Sequence, residues 1–227
     1  MKIITYESGR VTWLFPVEEF APLGGILAQQ LVIAIKERYN FERIPSSLVA
    51  EAVSKNGLKF ESGIFQHDGQ LINIVEFTAF SDGFVAVTNL TERSEAFLAD
   101  LVTWLQETFK FRPISTPIQR INLSTLAVEF DAPLSAALKP NLGLEGLVAG
   151  EFKKISGSDV KVVLGRMDFL VERPMSERAL PIILPRLVLD LRAGTVPEQQ
   201  RYYSSAPLTT FDHIAALGAI EAKLSGG

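Results

Sequence analysis

Between positions 58 and 90 apolar residues fall on both alternating sets of positions, and this stretch sets the first expectation for the fold. Three strands are predicted near 58–66, 71–80 and 84–89. Their turns are Asp68-Gly69 and Asp82-Gly83, dipeptides that readily take positive φ at both central positions of a hairpin. Pairing across these turns puts Phe65, Ile72, Ile74, Phe80, Val85 and Val87 on one face and Phe60, Ile64, Leu71, Val75 and Phe77 on the other. Both faces are apolar, so both should be covered.

Residues 2–15 read as a hairpin turning at Ser8-Gly9, with Ile4, Tyr6, Val11, Trp13 and Phe15 on one face. A helix should follow Pro22, carrying Leu27, Leu31 and Ile35 and ending near Tyr39. A shorter one is signalled by Ser46 or Ser47 as cap, Leu48, Val49, Ala52 and Val53 as stripe, and Asn56-Gly57 as stop. Ser94 to Phe109 is a third, with Phe97, Leu101, Trp104 and Leu105 at helical spacing and Thr91 or Ser94 as cap. Lys110 to Gln119, with two prolines, reads as a linker. Beyond it, strands are expected at 121–130, 147–155, 159–172 and 187–191, with a closing helix from Phe211 to about Leu224.

These elements describe an α+β protein of antiparallel sheets with helices packed on them. The order of three strands then a helix at 58–110 recurs at 147–224, which suggests tandem β-β-β-α modules. The echo of Glu19-Phe20-Ala21-Pro22-Leu23 in Glu129-Phe130-Asp131-Ala132-Pro133-Leu134 points the same way. Modules of 1–112 and 113–227, or one continuous domain, fit a chain of 227 residues.

Charge narrows the partners. Against 26 acidic residues stand 22 Lys and Arg, scattered rather than clustered, for a net charge of −4. Nucleic acid and membrane surfaces are disfavoured, because both need a concentrated basic face. With no cysteine, disulfides, thiolate metal sites and Cys nucleophiles drop out together. The first residues carry charge where a signal peptide has its apolar core, and the expected location is cytoplasmic.

Catalytic vocabulary is sparse. Gly24-Gly25 lacks the residues of a phosphate cradle, and no Gly-x-Ser-x-Gly elbow occurs. The two histidines, His67 beside a turn and His213 in the first turn of a helix, read as surface or capping residues, with no spacing for a metal site. Strand carboxylates Glu129, Asp131, Asp168, Glu172 and Asp190 read as solvent-facing. No catalytic residue, metal ligand or cofactor is assigned.

The segment 194–210 shows neither helix nor strand period, and long structureless connections are usually functional or disordered. Its Arg201, Tyr202 and Tyr203 are of the types that anchor protein contacts, so they are the candidate partner-binding residues. The functional expectation is a non-enzymatic interaction or assembly protein that associates with itself or with another protein. A second reading is a small-molecule binding protein or enzyme with an apolar pocket between sheet and helices, anchored by one carboxylate or histidine.

Overall fold

The computed structural model describes residues 1–22, 24–46, 57–131, 144–159, 165–170 and 185–225. The fold is α+β, with one eight-stranded antiparallel sheet and five helices among the described residues. In chain order the elements are β1 (Lys2–Leu14), α1 (Val17–Phe20), α2 (Ala28–Tyr39), β2 (Leu58–His67), β3 (Gln70–Phe80), β4 (Gly83–Thr88), α3 (Thr91–Phe109) and β5 (Gln119–Glu129). There follow α4 (Leu144–Ser156), β6 (Arg166–Phe169), β7 (Leu187–Leu191), β8 (Arg201–Ala206) and α5 (Thr210–Ser225). The strands hydrogen-bond in the order β2-β3-β4-β1-β5-β8-β7-β6. The chain forms two compact units, the first of Glu7–Ser124 with Pro207–Thr210, the second of Met1–Tyr6, Thr125–Ala206 and Phe211–Gly227.

In the first unit the meander forms as expected at its first turn. His67 pairs with Gln70 around Asp68 and Gly69, both at positive φ. The second turn lies one residue earlier than expected, at Ser81-Asp82, and Gly83 is already in β4 opposite Phe80. Glycine is required there for a different reason, since a Cβ on Gly83 would lie 2.0 Å from the Trp13 carbonyl oxygen.

The expected hairpin at 2–15 is instead a single strand. Gly9 does not turn the chain: it pairs with Thr88, and a Cβ on it would meet the Leu90–Thr91 peptide at 2.1 Å. Its missing side chain admits the start of α3, whose Ser94 Oγ donates to the Gly9 carbonyl at 2.7 Å. An unbroken strand also places Ile4 and Tyr6 on the face opposite Val11 and Trp13.

The two-faced meander is resolved by a change of phase. Ser62 sits at φ 57°, and on either side of it the inward-facing positions change parity. Phe60 and Phe77 therefore enter the same core as Phe65, Ile72 and Ile74, the Phe97 ring standing 5.9 Å from Phe65 and 5.5 Å from Phe77. Only Ile64, Leu71 and Val75 are left exposed on β2 and β3, so the expectation of two covered faces is corrected.

Helix α3 begins at Thr91, three residues before the expected start, and buries Phe97, Leu98, Leu101 and Leu105. Helix α2 begins after Leu27, which is exposed, and buries Val32, Ile35 and Tyr39. The Pro-containing 110–119 segment is tied down. Arg112 donates to the carbonyls of Glu18 and Ala21, and Glu19 accepts from Ser115 and Thr116. The short helix expected at 46–57 lies outside the described residues except at its ends.

The second unit departs further from expectation. Residues 147–155 are helix, not strand, because Leu147, Val148 and Ile155 recur at helical spacing. The segment 194–210 contains β8, which pairs with β7 from Val188↔Ser205 to Leu191↔Tyr202. Among the described residues three strands still precede the last helix: β7 is the strand expected at 187–191, β6 lies within the stretch expected at 159–172, and β8 takes the place of the strand expected at 147–155. The core joins Leu126, Val128, Phe130, Leu189, Tyr202 and Leu217.

Candidate functional site

The candidate partner residues lie together on β8 of the second unit, with unequal surroundings. The Arg201 guanidinium donates through Nε to Glu129 Oε2 at 2.7 Å. Tyr202 points into the core beside Phe130, and its hydroxyl donates to Gln200 Oε1 at 3.0 Å. Tyr203 points the other way by strand alternation, is 37% exposed, and carries the Arg192 guanidinium 5.3 Å from its ring centre. Of the three, Tyr203 is the one with a ring face at the surface.

A larger apolar surface lies on α4, where sequence periodicity was misread as strand. Leu147 is 66% exposed, Val148 41% and Ile155 85%. The charges at its C-terminal end are neutralised locally: Lys154 Nζ lies 2.6 Å from Glu151 and Lys153 Nζ 2.7 Å from Asp159. The helix thus presents an apolar stripe with paired charges beside it.

His213 corrects the expectation of a surface residue, for it is fully buried. It sits in the first turn of α5, with Nε2 2.8 Å from the Ser204 Oγ. Ser204 Oγ also lies 3.0 Å from the Val188 carbonyl, to which it can only donate, so serving both partners at once has the imidazole Nε2 donating. The pair satisfies buried polar atoms. Burial holds the imidazole pKa well below its usual 6.5, at about 4.

The remaining titratable candidates are exposed or ion-paired. His67 Nε2 lies 3.4 Å from Asp68, and its ring stacks on Phe65. Asp168 and Asp190 share Arg166 at 3.0 and 3.4 Å. Glu172 lies outside the described residues. Among the described residues no three His, Asp or Glu side chains gather as a metal site, and no helix is long and apolar enough to cross a membrane.

The first unit contains a cavity that no sequence motif announced, of about 250 Å³. It lies between α2, α3 and the β2–β4 strands, and its lining is apolar except for Ser81. Among the described residues that line it, no carboxylate or histidine stands as the anchor expected of such a pocket. Comparison with protein-family models, curated proteins and solved structures finds no match to this chain.

Proposed function

We propose that this chain is a non-enzymatic protein-interaction or assembly protein that associates with copies of itself through α4. The observation that carries the reading is the exposure of Leu147, Val148 and Ile155 along one helix. Taking a Leu or Ile side chain out of water is favourable by about 1.5–3 kcal/mol, and an apolar stripe is self-complementary about a two-fold axis. Tyr203, with its exposed ring, supports the same reading as a second contact residue, and Arg201 beside it supplies a charged neighbour.

The test is solution mass by light scattering at two concentrations about tenfold apart. A stable multiple of 25.0 kDa that falls to the single-chain mass in the Leu147→Ser, Ile155→Ser double variant is the expected result. A single-chain mass at both concentrations, or an assembly indifferent to the two serines, overturns the proposal. Tyr203→Ala should weaken association less. Tyr202→Ala reads folding rather than contact, because its ring is in the core.

A further inference from the structure

We propose that the cavity of the first unit is a binding site for a neutral, compact hydrocarbon group: one aromatic ring or a short aliphatic chain. The proposal stands apart from self-association through α4, since it concerns other residues and another unit.

The cavity reaches into the core itself. Its inner wall includes Phe60, Phe77 and Leu101, side chains sealed from solvent, with Ile35 nearly so. Its mouth is formed by side chains only half-buried, Leu31, Leu58 and Phe80 among them. The space is therefore open at the half-buried side chains and floored by the sealed ones. Water is a poor occupant, because a buried water needs two to four polar partners and the lining offers one exposed serine. An ionised group is a worse one, since nothing in the lining pairs with it. Size sets the other limit. An apolar cavity of about 150 Å³ holds benzene, so about 250 Å³ takes a single ring with a small substituent and excludes a fused polycyclic ligand.

The aromatic surroundings favour such a guest further. Phe84 stands edge-on to Phe15 at 5.0 Å and Phe77 to Phe84 at 5.8 Å, so ring faces and edges are already fixed around the space. A guest would meet a preformed wall, with little ordering left for binding to supply.

Toluene is the probe, with benzoate as its charged counterpart. Methyl NMR of the full chain should show shifts at Val32, Ile35, Leu101 and Leu105 on adding toluene and none with benzoate. At toluene about ten times its Kd, the apparent unfolding constant should fall about elevenfold. Ala79→Leu, which fills the space from β3, and Leu31→Phe, which narrows the mouth from α2, should each abolish the shifts. Far-UV circular dichroism checks that each variant is folded, and either folded variant suffices. Absence of methyl shifts at saturating toluene, as expected were the chain to close the cavity by itself, overturns the proposal. So does benzoate binding as well as toluene, or an undiminished response in a folded filled variant.

Discussion

Each unit has an amphipathic helix between two of its strands, and the two helices are used in opposite ways. In the first, α2 follows β1 and buries Val32, Ile35 and Tyr39 in a core that includes Phe41, Phe60, Phe65, Phe77 and Phe97. In the second, α4 follows β5 and leaves Leu147, Val148 and Ile155 exposed. The described core of the second unit holds six buried apolar residues, two of them aromatic, against nineteen in the first. An amphipathic stripe thus specifies a helix without specifying what the helix packs on.

The units also differ at the fourth residue of one helix each, the one after β4 and the one after β8. That residue is Ser94 in α3 and His213 in α5, and both are fully buried. The serine hydroxyl does not titrate, whereas the imidazole does. Acid should therefore act on the second unit and spare the first at this position. Trp13 and Trp104, the two tryptophans of the chain, both lie in the first unit, so indole emission reports that unit alone.

The largest expected effect comes from Phe97, whose ring contacts Tyr39 at 4.9 Å as well as Phe65 and Phe77. Phe97→Ala should cost about 3–5 kcal/mol in urea unfolding followed by indole emission. Leu217→Ala in the thinner core should cost less when unfolding of its unit is followed by hydrogen exchange in β7, β8 and α5. Equal losses would erase the contrast between the cores.

Next comes acid. His213 binds its proton less readily when folded than when unfolded, so stability is full above pH 6.5 and declines as pH falls towards about 4. The loss should reach about 3 kcal/mol and be read by hydrogen exchange in β7, β8 and α5. His213→Gln should flatten this dependence. A pH response unchanged in that variant would assign the effect to another group.

A smaller effect is expected where α3 and α5 begin. The Thr91 N–H donates to Thr210 Oγ1 at 3.0 Å, and the Thr210 N–H donates to Thr91 Oγ1 at 2.6 Å. Each Thr→Val change leaves a buried N–H without its acceptor and should cost about 1–3 kcal/mol. The double variant should cost less than the sum, because the hydroxyls are also 3.1 Å apart and act together. Strict additivity in a double-mutant cycle would remove the coupling. Smallest of all, Leu147→Ser should move stability by less than about 0.5 kcal/mol while weakening association, in contrast to any buried residue of α2.

How far these features were legible depended on whether one residue type had one explanation. Asp68-Gly69 had one, a two-residue turn, and the meander followed from it. Gly9 had two, and close approach to Leu90 prevailed over turning, which no local pattern reveals. Ser62 shifts the phase of β2 and β3 through a left-handed backbone that serine seldom takes, so the meander looked two-faced. In the second unit, Gly146 and Gly150 weaken the helical signature of α4, and the turn residues around Gly194 hid β8. An apolar pocket between sheet and helices was among the expectations, but its place was not legible, since its walls come from segments as distant as Val17 and Phe111. Buried His213 was equally hidden, because its partner Ser204 lies on a strand that the pattern did not show.

Strand β1 contributes Lys2–Tyr6 to the second unit and Glu7–Leu14 to the first. During synthesis those first residues must wait for Thr125 and beyond, and at about 5–20 residues per second the delay is several seconds at least. In the nascent chain Ile3, Ile4 and Tyr6 spend that interval without their final neighbours. A ribosome-bound chaperone would find its clearest opportunity there, and a halved gene would not yield two self-sufficient products.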